Sequence, residues 1–171
     1  MDVILVDEQD SPLGTMEKIE VHEKALLHRA FSVFIFNDKK EMLLQKRAVR
    51  KYHSASLWTN ACCSHPKPGE DTIAAAQKRL QEEMGFTIGL QKAFEFIYKA
   101  PFENGLTEHE FDHVLIGSYS GEISPNPDEV SDYCFMRLPE IDQSIQSHPA
   151  KYTEWFKIAF PKVVKYIDAT P

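Results

Sequence analysis

A cysteine and a histidine lie two residues apart in the segment 58–66, which reads Trp-Thr-Asn-Ala-Cys-Cys-Ser-His-Pro. Cys63 and His65 at this spacing can act as a reactive thiol beside a base, or as two ligands of one metal ion. An isolated pair of this kind is more often a buried free cysteine and a hydrogen-bonded histidine. The other histidines and carboxylates of the chain therefore decide how the pair is interpreted.

Two further groups of residues offer nitrogen and oxygen ligands. A divalent ion takes imidazole nitrogens and carboxylate oxygens together, which makes one metal site a chemically sensible prediction for His22, His28, His65, Glu108 and Glu110. His22 and His28 would lie about 20 Å apart on a strand and on nearly opposite sides of a helix, so the chain between them must bend. On a strand, Glu108 and Glu110 would share one face while His109 points away.

Short apolar runs separated by turn formers predict strands near residues 3–6, 31–36, 42–46, 93–98, 111–119 and 133–138, with a hairpin turn at 37–40. The clearest helix runs from about Asp71 to Met84, with an acid at its start and Gly85 as its stop. Its apolar stripe is Ile73, Ala76, Leu80 and Met84, which puts Lys78, Arg79, Glu82 and Glu83 away from the buried side.

A second helix is predicted at about 153–168, with Pro161 as a kink, and a shorter one after residues 138–140. Strands followed by a strong helix, more strands and terminal helices indicate an α+β fold or a helix–sheet–helix sandwich with a mixed or antiparallel sheet. Residues 1–171 are expected to form a single domain, because that length suits one core and no linker or repeat interrupts it.

Composition restricts the partners. The net charge of −7 argues against nucleic acid, and the apolar runs are too short for a membrane span. Basic residues are concentrated at Lys46-Arg47 and Arg50-Lys51, where they could serve a small anionic ligand or simply form a solvated loop. Three cysteines, two of them adjacent, fit a reducing compartment, and we expect a cytoplasmic protein. A monomer is the expectation, and the sequence leaves an oligomer open.

The helical segment 70–86 resembles a degenerate Nudix box, Gly-x5-Glu-x7-Arg-Glu-U-x-Glu-Glu-x-Gly-U, in which U is apolar. Counting back from Gly85, Glu70 falls on the first box glutamate, Ser64 replaces the first glycine, and Lys78-Arg79 replaces Arg-Glu. Nudix hydrolases group carboxylates on this helix to hold the metals used in attacking a pyrophosphate. Arg79 stands where one of those acids would be, which argues against hydrolysis.

This departure looks like the type I isopentenyl-diphosphate isomerase family. The resemblance extends over most of the chain, and its most specific part is Thr59-Asn60-Ala61-Cys62-Cys63-Ser64-His65-Pro66. Other matching segments, in chain order, are 17–18, 27–32, 45–48, the altered box, 98–100, 108–110 and 155–158. The resemblance implies a Nudix-like fold and a proton-transfer reaction that interconverts isopentenyl and dimethylallyl diphosphate without cleaving phosphate.

The resemblance also implies roles for individual residues. Cys63 would be the catalytic thiol, Tyr98 and Glu110 the acid side opposite it, and Trp155 an aromatic wall beside the reacting carbons. Glu83 would help to hold Mg²⁺ on the diphosphate, and the cationic clamp would be Lys18, Arg47, Lys51 and Arg79. Metal ligands would be His22, His28, His65, Glu108 and Glu110, holding a second divalent ion that the sequence leaves open among Mg²⁺, Mn²⁺ and Zn²⁺. The substrate would be a small allylic or homoallylic diphosphate, and no flavin is implied.

Two alternatives remain at this point. A Nudix pyrophosphohydrolase would release phosphate from nucleotide or diphosphate substrates. A non-catalytic zinc-stabilised binding module would use Cys62, Cys63 and His65, although a second Cys-x-x-Cys pair is missing.

Overall fold

The computed structural model describes residues 1–170, and within them it contains nine strands, four α-helices and a short 3₁₀ helix at Pro149–Lys151. The strands are β1 (Asp2–Val6), β2 (Pro12–Glu17), β3 (His28–Phe36), β4 (Met42–Arg47), β5 (Trp58–Thr59), β6 (Cys62–Ser64), β7 (Gln91–Pro101), β8 (Thr107–Ser118) and β9 (Val130–Met136). The helices are α1 (Lys18–Lys24), α2 (Thr72–Met84), α3 (Leu138–Ser147) and α4 (Glu154–Ala169). None of these helices is both long enough and apolar enough to cross a membrane.

All nine strands belong to one mixed sheet with β3 at its centre. β3 pairs in parallel with β8 and antiparallel with β1, β4 and β6. The sheet continues from β8 to β7 and from β4 to β5 and β9, all in antiparallel pairs. The predicted mixed sheet is therefore confirmed.

Helices cover both faces of this sheet. Side chains alternate along β3, so Phe31, Val33 and Ile35 enter a core with α2, whereas Phe34 and Phe36 enter a second core with α4. Each apolar face of the sheet is thus buried under a helix. The predicted helix–sheet–helix sandwich is confirmed.

The helix α2 begins and ends as predicted. The Asp71 side chain accepts a hydrogen bond from the Ala74 amide at 2.9 Å, which caps the first turn. Gly85 ends the helix with φ 77°, and a β-carbon there would lie 2.2 Å from the Ser124 carbonyl oxygen. One detail was wrong: Glu83 is only 4% exposed, because it contacts a strand residue, Gln45, which helical periodicity cannot reveal.

Three elements that position the site were not predicted from the apolar pattern, because they are short or lie at the surface. They are β6, the largely exposed β2, and α1, which begins after the cap Glu17 and ends at Ala25 with φ 53°. Ala25 provides the bend that the sequence requires between His22 on α1 and His28 on β3. The predicted terminal helices are present, and α4 continues through Pro161.

Candidate active site

Polar residues occupy one end of the sheet face that packs under α4. On β3, His28 and Ser32 precede Phe34 on this face, and the neighbouring positions of β8 are acidic before the strand becomes apolar at Val114. The parallel register pairs His28 with Glu110, so imidazole and carboxylate meet across two strands. The α4 face therefore changes along its length from a chemical site to an apolar core.

The two adjacent cysteines point to opposite faces of the sheet. Cys63 pairs with Ser32 across β6 and β3, and its Sγ lies 3.4 Å from the Ser32 Oγ. Cys62 pairs with Val33, is fully buried, and belongs to the core under α2. The strand alternation alone therefore places only Cys63 at the polar end of the α4 face.

Four side chains form a cluster that fits a metal ion. Donor atoms of His22, His28, His65 and Glu110 all lie within 4.8 Å of one another. The Nε2 atom of His65 is 2.6 Å from the Glu110 Oε2 and 3.2 Å from the His28 Nε2. Two imidazole nitrogens facing one carboxylate oxygen at these distances are the donor set that divalent ions take.

The hydrogen bonding of the histidines supports the same conclusion. His28 lies 2.9 Å through Nδ1 from the Leu26 carbonyl oxygen, to which that nitrogen donates, and this leaves the Nε2 lone pair for an ion. Both ring nitrogens of His22 and the Nδ1 of His65 are buried without a hydrogen-bond partner. Burial lowers the pKa of each of these two histidines to about 4, so both are neutral and ready to ligate near pH 7.

Glu108 and Glu110 share one buried face of β8, as predicted, while His109 points elsewhere and contacts the Ala25 carbonyl oxygen. Tyr98 donates from its hydroxyl group to both carboxylates. Burial, followed by the negative charge of Glu110, raises the pKa of Glu108 well above its usual range. Although burial opposes it, the hydrogen bonds with His65 and His28 keep the pKa of Glu110 well below its usual range. Glu108 itself lies outside the four-residue metal cluster, so its role as a ligand stays a prediction.

Most of the predicted site residues line one cavity of about 70 Å³. The predicted residues that line it are Lys18, Arg47, Lys51, Cys63, His65, Arg79, Tyr98, Glu108, Glu110 and Trp155. Cys63 and Glu110 thus face the same space, reached from strands on two sides of β3. Of the other predicted residues, His22 and His28 belong to the four-residue cluster that fits a metal ion, but they do not line the cavity. Glu83 does not line the cavity either.

The cations of the cavity are held by acids and by aromatic rings. Lys51 and Arg79 both pair with Glu129, which the sequence interpretation missed, and Arg79 also binds Glu83 through Nε at 2.6 Å. The Arg47 guanidinium lies 5.1 Å from the centre of the Trp155 ring. The Lys18 Nζ lies 5.0 Å from the centre of the Tyr52 ring. An anion entering the cavity would therefore meet four positive charges that are already oriented.

Several polar residues around Cys63 were also missed. Asn60 lies 3.2 Å through Oδ1 from the Cys63 Sγ, and its Nδ2 donates to the Val33 carbonyl oxygen at 2.9 Å. Ser32 donates to the buried Asp112 at 2.7 Å. Burial, followed by the charge of Asp112, raises the pKa of the Cys63 thiol. The alternation that identified Glu108 and Glu110 also includes Asp112, so this residue could have been found from the sequence.

Comparison with known proteins gives a consistent result. A NUDIX domain is matched over residues 26–156. The chain is 48% identical to an isopentenyl-diphosphate Delta-isomerase of Pectobacterium atrosepticum, covering 98% of this chain and 94% of that protein. It is 52% identical to isopentenyl-diphosphate Delta-isomerase 2 of Photorhabdus laumondii, covering 91% and 88% of the two chains.

The fold also resembles a crystal structure from Deinococcus radiodurans with a TM-score of 0.75, at 16% identity over 92% of this chain and 96% of that one. At this identity the likeness concerns the fold alone. Identity near 50% over almost the whole chain, together with the Nudix fold, shows the family. The chain belongs to the isopentenyl-diphosphate Delta-isomerases of the Nudix superfamily.

Proposed function

We propose that the protein interconverts isopentenyl diphosphate and dimethylallyl diphosphate by moving protons at the active-site cavity. The observation that carries the proposal is that Cys63 and Glu110 line one cavity from different strands on two sides of β3. Shifting the double bond requires adding a proton to one carbon and removing a proton from another. Two proton-transfer groups facing one short carbon skeleton meet that requirement.

Glu110 and Tyr98 form one side of the reaction. The hydroxyl group of Tyr98 donates to the Glu110 carboxylate, and His65 holds the other carboxylate oxygen at 2.6 Å. These contacts fix the carboxylate in place, so that a proton exchanged with the substrate moves over a short, constant distance. Cys63 exchanges the second proton, oriented by Asn60 and Ser32. The two sides exchange roles when the reaction runs in reverse.

A divalent ion would be held by His22, His28, His65 and Glu110. When bound, such an ion stabilises the negative charge of a ligated carboxylate and of the groups hydrogen-bonded to it, which strengthens the acid side. Mg²⁺, Mn²⁺ and Zn²⁺ all accept this donor set, and we propose Glu108 as a further ligand. Neutral His22 and His65 would bind the ion without first losing protons near pH 7.

The diphosphate of the substrate, carrying its own Mg²⁺, would occupy the cationic part of the cavity. Arg79 and Arg47 can form two-pronged charge-assisted hydrogen bonds with phosphate oxygens, while Lys18 and Lys51 add single charges. Glu83 would help to hold the magnesium ion, and its carboxylate is bound to the Arg79 Nε at 2.6 Å. Four converging cations explain how a chain with a net charge of −7 could bind a polyanion.

The carbocation formed between the two proton transfers needs a surface that stabilises it and excludes water. Trp155 is 3% exposed and lines the cavity, and its ring already carries the Arg47 guanidinium at 5.1 Å. The ring that binds this guanidinium would also bind the substrate cation. A cation over a water-free indole ring gains about 2 kcal/mol.

The test is incubation with isopentenyl diphosphate and Mg²⁺ in D₂O, without flavin or nicotinamide. Dimethylallyl diphosphate carrying deuterium is the expected product, detected by NMR. Glu110→Gln keeps the size of the side chain and removes its charge, so it is the matched inactive control. If folded protein gives no product and no label, the proposal is refuted. Release of phosphate instead of dimethylallyl diphosphate would identify a Nudix pyrophosphohydrolase.

A further inference from the structure

A second and larger cavity lies beside the active site. Its volume is about 580 Å³, compared with about 70 Å³ for the active-site cavity, and the two cavities have only Tyr52 and His53 in common among the lining residues described. Residues that line both cavities form the wall between them. Removing part of that wall would join the small cavity to the large one.

The ring of His53 packs against one aromatic residue of each cavity. It stacks on Phe102, which lines the second cavity, at 4.6 Å between centroids and 11° between planes. It also makes a T-shaped contact with Trp155, which lines the active site, at 5.7 Å and 88°. Phe102 and Trp155 contact each other at 6.4 Å between centroids, so the three rings together form this part of the wall. Arg47 holds the backbone of His53 by donating from Nη2 to its carbonyl oxygen at 3.2 Å.

His53 forms an uncharged part of this wall. Burial, followed by the charges of Arg47 and Lys18, lowers the pKa of His53 to about 3, so the ring is neutral at physiological pH. A neutral ring packed among aromatic residues acts as an apolar surface of fixed size. It would contact the hydrocarbon end of a ligand whose anionic end is bound by the cations.

The second cavity is suited to hydrocarbon and not to another phosphate. Its apolar walls are Leu57, Pro101, Phe102 and Tyr152, and its polar walls include Ser54 and Asn104. Among the lining residues described, one lysine, Lys157, stands against two carboxylates, Glu103 and Glu154, so the charge of the walls disfavours a further phosphate. An alkyl chain extending from the active site would find apolar contacts there.

We propose that His53 determines the length of hydrocarbon that the enzyme accepts, by closing the active site to the second cavity. This inference rests on the proposed function, since it assigns the hydrocarbon end of the substrate to the aromatic side of the cavity. Smaller residues at position 53 would extend the binding site by the volume of the neighbouring cavity. Substrates with longer alkyl groups would then be accepted.

The test uses 3-alkyl-3-butenyl diphosphates in which the C3 methyl group is lengthened to ethyl, propyl and butyl. In the wild-type protein, kcat/KM is expected to fall about tenfold or more at the first added carbon, because the closed wall leaves no room for it. In His53→Ala, each methylene should instead find apolar surface, worth about fourfold in binding. The butyl-to-methyl ratio of kcat/KM should therefore be about 60 in His53→Ala and about 0.1 or less in the wild-type protein, a difference of about 600-fold or more.

His53→Phe is the matched control, because it keeps an aromatic ring in the wall and should keep the wild-type length profile. If His53→Ala does not fold, His53→Leu makes the same comparison with a smaller shift. Binding of saturated alkyl diphosphates of increasing length, measured by calorimetry, gives the same comparison without turnover.

The two proposals fail in different ways. No turnover of isopentenyl diphosphate by the wild-type protein would refute the proposed function, while the calorimetric series would still test the wall. A wild-type length profile in folded His53→Ala, or acceptance of the butyl compound by His53→Phe, would refute the inference about His53.

Discussion

Replacing each of the adjacent cysteines by serine should separate stability from catalysis. Cys62 and Cys63 are neighbours in the chain but face opposite sides of the sheet. The same atomic change, sulfur to oxygen, is therefore made once in a packed core and once in the active-site cavity. Each variant is the control for the other.

Cys62→Ser should destabilise the fold. Cys62 is fully buried among apolar side chains under α2, and within residues 1–170 its sulfur has no hydrogen-bond partner that a hydroxyl group could inherit. Burying an unpaired hydroxyl group costs about 1–3 kcal/mol. At about 2–4 °C per kcal/mol for a domain of this size, Tm should fall by about 2–12 °C, while kcat per folded molecule stays unchanged.

Cys63→Ser should leave the fold intact and remove activity. A serine hydroxyl can keep the contacts with Asn60 and Ser32, now 3.2 and 3.4 Å from the sulfur, so the free energy of unfolding should change by less than about 1 kcal/mol. A hydroxyl group is a far weaker acid than a thiol, and losing one proton-transfer group lowers kcat by about 10²- to 10⁴-fold.

Urea denaturation monitored by fluorescence gives the free energy of unfolding of each variant, and the isomerisation assay gives kcat. If Cys63→Ser unfolds or releases metal while Cys62→Ser loses only activity, the assignment of faces is refuted, and so is the role of the thiol. Unfolding of both variants would instead support a structural metal site built from the cysteines.

Three further predictions concern the surroundings of the site. Ser32→Ala should lower kcat about 10²-fold with little change in KM, because the contact that orients the Cys63 sulfur is lost. A rise in KM as large as the fall in kcat would contradict this. After a chelator has removed bound metal, a divalent ion added at 100 times its Kd should raise the free energy of unfolding by about 2.7 kcal/mol. Thermal melts should show this stabilisation for the wild-type protein and a much smaller one for His22→Ala. Glu83→Gln should lower the free energy of unfolding by about 1.5–3 kcal/mol, because it removes the charge that binds Arg79 at 2.6 Å. Urea denaturation measures this change. Unchanged stability would show that Glu129 alone neutralises the arginine.

Local patterns accounted for much of the site. The spacing of Glu108 and Glu110 predicted two carboxylates on one strand face, and the separation of six positions from His22 to His28 required the bend that Ala25 provides. Asp71 and Gly85 marked both ends of α2. These predictions succeeded because strand alternation, helix caps and left-handed stop residues depend on neighbours within a few positions.

The remaining features depended on which strands pair and in which register. Ser32 and Asp112 are 80 residues apart, and only the parallel pairing of β3 with β8 brings their side chains into hydrogen-bond contact. The pairing of β6 with β3 decides that Cys63, and not Cys62, faces the cavity. Glu83 is buried because α2 packs where Gln45 can reach it. Such contacts between distant segments leave no period in the chain, so the residue types alone determined the chemistry available and the tertiary structure decided which groups meet.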